Sequence, residues 1–146
     1  MSDTYDRRTQ LGASRRRKED ADALHHAKRW SGAIYMGGYA IECSLKALIC
    51  HKEHINNLED SKLARSGVRG NGLHNLQTLL GQLPNLERSI TLDRSEKSKL
   101  VWQKIVNMWQ KDELRYGDKQ GNVQDSQQFL DAISTLYPLI LSQQGE

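Results

Sequence analysis

The stretch Ala33-Ile34-Tyr35-Met36-Gly37-Gly38-Tyr39-Ala40-Ile41-Glu42-Cys43-Ser44-Leu45-Lys46-Ala47-Leu48-Ile49-Cys50-His51-Lys52 decides the fold. Read at helical period, its apolar residues fall on nearly every side: Ile34, Met36, Tyr39, Ile41, Leu45, Leu48 and Ile49 share no single face. A helix apolar all round is central in its bundle or faces two neighbours. The run from Ala33 to Cys50 is marginal in length for a membrane span, and Glu42 and Lys46 near its middle are expensive in lipid. It is therefore read as a buried helix of a globular bundle, and no membrane partner is expected. Gly37 and Gly38 each cost the helix about 1 kcal/mol relative to alanine. Close approach of another helix, from this chain or a second copy, is the expected compensation. Few other long helices are available as cover, so a homodimer is expected.

Working outward, the helix period dominates and alternating strand patterns are absent. A first helix is expected from about Ser14 to Trp30, with Leu24, Ala27 and Trp30 as a thin apolar stripe. Its basic run, Arg15 to Lys18, reads either as a solvated helix start or as a phosphate-contacting patch. Ser31 and Gly32 are expected to turn the chain back. Beyond the central helix, a short helix is possible around Leu58 to Ala64, and Gly67, Gly70, Asn71 and Gly72 make a loop. Leu73 to Leu83 looks helical, with Pro84 ending it or following closely. Another helix is expected from Ser95 to Lys111, because Trp102, Ile105, Val106 and Trp109 fall on one face. The last begins at Asp125, whose spacing to Gln128 suggests a capping box, and Pro138 should kink it or fray its end. The expectation is an all-α, antiparallel bundle of four long helices plus one or two short ones. It would be one domain over residues 14–142, between polar tails at 1–13 and 143–146.

The 146 residues suit one domain able to hold a core without disulfide or metal. A net charge of +3 permits a nucleic-acid partner without demanding one. Cys43 and Cys50 lie about 10 Å apart along one helix, too far for a disulfide between them. They read as reduced core residues of a cytoplasmic protein, with a reactive thiol as the alternative. The polar stretch Met1 to Gln10 does not read as a signal peptide. No phosphate-loop lysine, zinc motif or serine-nucleophile elbow occurs, and His25, His26, His51 and His54 lack completing ligands. No metal or cofactor is expected.

Three groups of residues carry chemistry. Glu42 and Lys46, at i and i+4, project from about the same side of an apolar helix. They are either an ion pair on an accessible edge or the lining of a polar cleft, since a buried lone charge costs several kcal/mol. His74 follows a glycine loop at an expected helix start, where free N–H groups favour an anion; it is a binding residue, or a capping and packing one. Arg115 and Tyr116, with Asp118 close behind, can grip a phosphate and stack a base. Alternatively Arg115 neutralises Glu42 or Asp118 while Tyr116 packs. Glu42, Lys46, His74 and Arg115 are expected to converge on one polar cleft, at the end of the bundle or beside a dimer axis, which suits a phosphate or nucleotide.

The run from Arg29 to Leu48, a small-aromatic stretch followed by Glu42 and then Lys46, resembles the first helical hairpin of HEPN domains. His74 to Leu76 and the segment Trp109 to Tyr116 resemble the next two landmarks of that family, in the right order. The resemblance covers about Trp30 to Asp118. It implies an antiparallel bundle of four or five helices, often dimeric, associated with nucleotide or RNA chemistry. Many members are encoded beside a small nucleotidyltransferase or act in prokaryotic defence and toxin-antitoxin systems. The ribonuclease members carry an Arg followed four to six residues later by His. Here Arg115 has no such His, and Arg69 to His74 has the spacing but with glycines between. The resemblance thus implies binding of a nucleotide, RNA or a nucleotidyltransferase without an intact ribonuclease motif. One alternative is a metal-independent ribonuclease using Arg69 or Arg115 with His74; another is a purely structural subunit. No catalytic residue is assigned; the candidates are His74, Arg115 and Arg69.

Overall fold

Asp6 starts the first helix: its carboxylate accepts a hydrogen bond from the Thr9 N–H at 3.1 Å, satisfying one of the free donors of a helix N-terminus. The computed structural model describes residues 5–68, 70–111, 114, 117 and 121–145. Helix α1 spans Arg7–His26, beginning about two turns before the expected Ser14 and taking up residues 7–13 of the stretch expected to be a tail. Apolar periodicity could not show these turns, because their inward residues are polar. Gln10 and Ser14 are both buried, and Ser14 Oγ lies 2.9 Å from the Tyr137 hydroxyl.

The chain reverses at Ala27–Arg29 rather than at Ser31 and Gly32. Lys28 takes the left-handed conformation at φ 63°, and the Arg29 N–H bonds to the Leu24 carbonyl at 2.8 Å. Ser31 and Gly32 instead form the first turn of α2, Trp30–Glu53. By length and composition α2 could cross a membrane, but here it is the core helix. Every residue from Ala40 to Cys50 is buried, against α1 on one side and later helices on the others. Its end is closed by His54 in the left-handed region, φ 56°, with the Ile55 N–H returned to the Cys50 carbonyl at 3.0 Å.

Among the described residues the remaining elements are a 3-10 turn at Leu58–Asp60, α3 at Lys62–Arg65, a 3-10 turn at Gly70–His74, α4 at Leu76–Gly81, α5 at Pro84–Thr91, α6 at Lys97–Met108, α7 at Val123–Ser142 and a 3-10 turn at Gln143–Gly145. Among the described residues there is no strand, only one isolated bridge between Asp6 and Asn57. The all-α class and the helical bundle are therefore as expected.

Several boundaries differ. His74 closes a 3-10 turn instead of opening a helix; the cap of α4 is Asn75, whose side chain accepts from the Thr78 N–H at 3.0 Å. Pro84 does not end a helix but starts one, at the N1 position where its missing N–H costs nothing. The last helix begins at Val123, capped by Asn122, which accepts from the Asp125 N–H at 2.8 Å and donates to the Asp125 carboxylate at 3.1 Å. Asp125 is thus the far member of a reciprocal cap. Helix α7 runs through Pro138 to Ser142.

The glycine pair of α2 is accounted for within the chain. A Cβ on Gly38 would overlap the indole of Trp109, and one on Gly37 would stand 3.1 Å from the Phe129 ring. Trp109 caps α6 and Phe129 belongs to α7, so both elements press on α2 where it has no side chain. The Trp109 Nε1–H donates to the Tyr35 carbonyl at 3.1 Å, fixing the ring.

Candidate functional site

Glu42 points from the middle of α2 into the interior and is only 2% exposed. A carboxylate there needs partners, and three converge on it. Lys46, one turn on and 3% exposed, donates to Glu42 Oε2 at 2.8 Å. His74 Nδ1 lies 3.1 Å from the same oxygen. Lys111, three residues past the end of α6, donates to Oε1 at 2.9 Å. The reading of Glu42 and Lys46 as an ion pair on an accessible edge does not hold; both are buried and both have additional partners. Burial by itself would raise the Glu42 carboxyl above its ordinary range. The bond with His74, the charge and bond of Lys46 and the bond from Lys111 outweigh it and hold the group down to about 2.

Both lysines have further partners. Lys111 also donates to the His74 carbonyl at 2.8 Å. Its ammonium stands 4.5 Å from the centre of a Trp109 ring and 5.8 Å from that of Tyr39, and Tyr39 meets Trp109 edge-on at 5.3 Å. Lys46 has the Tyr5 ring on its remaining side, at 5.6 Å. Aromatic faces suit desolvated ammonium groups because their quadrupole is negative above the ring.

His74 Nδ1 is 2.8 Å from Lys46 Nζ as well as 3.1 Å from Glu42. One ring nitrogen cannot accept from the lysine and donate to the carboxylate at once. With the ring hydrogen on Nε2, Nδ1 accepts from Lys46; with it on Nδ1, the bond passes to Glu42. In either state Nδ1 is anchored to the buried pair, while the side chain remains 35% exposed. Among the described residues, Nε2 on the opposite edge of the ring makes no hydrogen bond. Lys111 is 26% exposed beside it. Among the described residues, one carboxylate against two ammonium groups leaves this cluster with a charge of +1 before His74 is counted.

Of the sequence candidates, Glu42, Lys46 and His74 meet in one cluster. Arg69, Arg115, Tyr116 and Asp118 lie outside the described residues, and so does the proximity of Arg115 to Glu42. Lys111 is a member that sequence reasoning missed. A signal for it exists: a cation two residues after Trp109, at the end of a helix whose apolar face is clear. Cys43 and Cys50 are buried and unbridged, and burial pushes both thiols up to about 11, which removes the basis for a reactive thiol.

Compared with family models, with curated proteins and with solved structures, the chain matches none.

Proposed function

We propose that this is a HEPN-type helical domain that binds the phosphate of a nucleotide or RNA at the mouth formed by His74 and Lys111. The observation that carries this reading is the single buried Glu42 carboxylate surrounded by two lysines and a histidine. It fixes their positions yet leaves excess positive charge at a half-exposed surface. A phosphate is the ligand class that such a mouth fits: an outward ring edge and an ammonium side by side, with Trp109 and Tyr39 adjacent. Glu42 serves as the holder of the cations, not as a ligand contact, because both its oxygens are engaged.

Isothermal titration with ADP and with a 5′-phosphorylated RNA hexamer tests this. Lys111→Met should weaken binding at least about tenfold, the loss expected for a charge-assisted hydrogen bond. His74→Ala should weaken it while leaving the urea midpoint within about 1 kcal/mol of wild type, since Glu42 keeps both lysines. No heat with either ligand, or heat unchanged in both variants, favours a purely structural subunit. The anchored Nδ1 with an outward Nε2 also suits a general acid or base, so metal-independent RNA cleavage is the second reading. Cleavage in EDTA that His74→Ala abolishes would establish it. The family reading further carries a homodimer, which sedimentation equilibrium at tens of micromolar decides: a species of only 16.7 kDa removes it.

A further inference from the structure

Helices α6 and α7 pack side by side but leave between them an open groove of about 410 Å³. Its two walls follow one pattern. Lys97, Leu100, Val101 and Lys104 line it from α6, at i, i+3, i+4 and i+7. Gln128, Asp131, Ala132 and Thr135 line it from α7 at the same spacing. Each set is one face of a helix, two turns or about 10 Å long. The floor between the walls is aliphatic. Ala132 is buried and, being small, leaves the groove its depth, while Leu100 stands 59% exposed at the rim.

The walls differ in charge. Helix α6 carries three lysines, Lys97, Lys99 and Lys104, and no carboxylate. Among the described residues none of the three has an acidic partner. Lys97 and Lys99 stand in the first turn of α6, where the helix dipole disfavours a cation, so the helix itself gains nothing from them. Across the groove the Asp131 carboxylate accepts from Gln127 Nε2 at 2.9 Å, and neither Lys97 nor Lys104 pairs with it to close the gap. An aliphatic floor edged by two cations about 10 Å apart has a defined complement: apolar side chains along the middle and carboxylates, two turns apart, on one flank.

We propose that this groove docks an amphipathic α-helix of a different protein, one with an apolar ridge and an acidic flank. A helix fits because both walls repeat at helical spacing, and the apolar ridge of a third helix fills the furrow between two others. Its carboxylates, at i and i+7, meet Lys97 and Lys104, and its opposite flank brings a cation to Asp131. A second copy of this chain fits less well, because a two-fold contact on this groove sets one lysine-bearing α6 against another. A polynucleotide also fits less well: the floor has no aromatic ring on which a base could stack, and Asp131 would face the phosphates. The groove shares no residue with the mouth of His74 and Lys111, so the inference does not depend on the phosphate reading.

Fluorescence anisotropy with two labelled synthetic peptides tests this. The acidic peptide is a lactam-stapled helix of about four turns, with leucines at i, i+3, i+7 and i+10, two glutamates seven apart on one flank and a lysine on the other. The basic peptide has lysines in place of the two glutamates. The acidic peptide should bind the wild-type chain at least about tenfold more tightly than the basic one, because the exchange turns two attractive pairs into two repulsive ones. Leu100→Ser should weaken the acidic peptide at least about tenfold. Its far-UV circular dichroism and urea midpoint should stay as in wild type, since that side chain is 59% exposed. Lys97→Glu combined with Lys104→Glu should reverse the preference, so that the basic peptide binds more tightly. Arg8→Glu combined with Arg15→Glu, the same charge change at exposed positions of α1, should leave the preference for the acidic peptide in place. No binding of the acidic peptide at about 1 mM overturns the proposal. So does equal binding of the two peptides, binding indifferent to Leu100→Ser, or a preference that survives the lysine reversal or is lost equally in the α1 variant. Sedimentation overturns it as well if the wild type is a dimer that Leu100→Ser dissociates, which assigns the groove to a second copy.

Discussion

Glu42 sets the electrostatics of the core. Its carboxyl is held at about 2 against an ordinary 4.5, so its ionised form contributes stability that is fully present above pH 4.5. That contribution is lost as the pH falls toward 2, and it amounts to something on the order of 3 kcal/mol. Glu42→Gln removes the charge and leaves Lys46, 3% exposed, without its counterion, at a cost of about 3 kcal/mol near neutrality. Urea midpoints between pH 2 and pH 7 check both statements. Wild type should lose stability steeply below pH 4.5, and Glu42→Gln should start lower and show a flatter acid limb. A variant as stable as wild type at pH 7, or with the same acid limb, contradicts this account of the cluster.

At the scale of elements, α2 and α6 were legible because apolar periodicity speaks for itself when the inward residues are apolar, and the packing of Trp109 on Gly38 then follows. Gly38→Ala should cost about 1–2 kcal/mol. Overpacking of about 1–3 kcal/mol is offset by about 1 kcal/mol of helix propensity, and Trp109 is pinned to the Tyr35 carbonyl at 3.1 Å and cannot easily withdraw. Gly37→Ala, facing a Phe129 ring edge 3.1 Å away, should be close to neutral, because a few tenths of an ångström of movement gains the same propensity. Equal urea midpoints for the two variants would contradict this difference. Other elements were hidden for physical reasons. The start of α1 buries Gln10 and Ser14, which no hydrophobic pattern marks. The turn at Lys28 uses a left-handed lysine where a reader looks for glycine. Helix α5 anchors itself through Leu86 and Ile90 in an otherwise polar stretch, and its proline reads as an ending as readily as a beginning. In the cluster, the i, i+4 spacing of Glu42 and Lys46 was readable. The meeting with Lys111 was not, because it joins residues 69 positions apart and depends on how the end of α6 crosses α2.

For the whole molecule, the arrangement concentrates stability in one helix. Helix α2 touches α1, α4 and α7, and it carries both the buried ion cluster and the two glycines that admit Trp109 and Phe129. Opening any part of α2 would expose Ile41, Leu45, Leu48 and Ile49, all fully buried, and would strip Lys46 from Glu42. Local unfolding of that segment is therefore as costly as unfolding the whole chain. Helix α5 is at the other extreme: it holds on through two buried side chains, Leu86 and Ile90, and packs mainly on α4 and α6. Such a unit opens at a fraction of the global free energy. Native-state hydrogen exchange should accordingly show the amides of Ile41 to Ile49 exchanging only with global unfolding, with a urea dependence equal to that of the folding transition. Those of Glu87 to Thr91 should exchange faster and with a smaller urea dependence. Protection of α5 equal to that of α2 would mean that the two unfold as one unit, and that the contacts of Leu86 and Ile90 tie α5 to the core far more tightly than two side chains can account for.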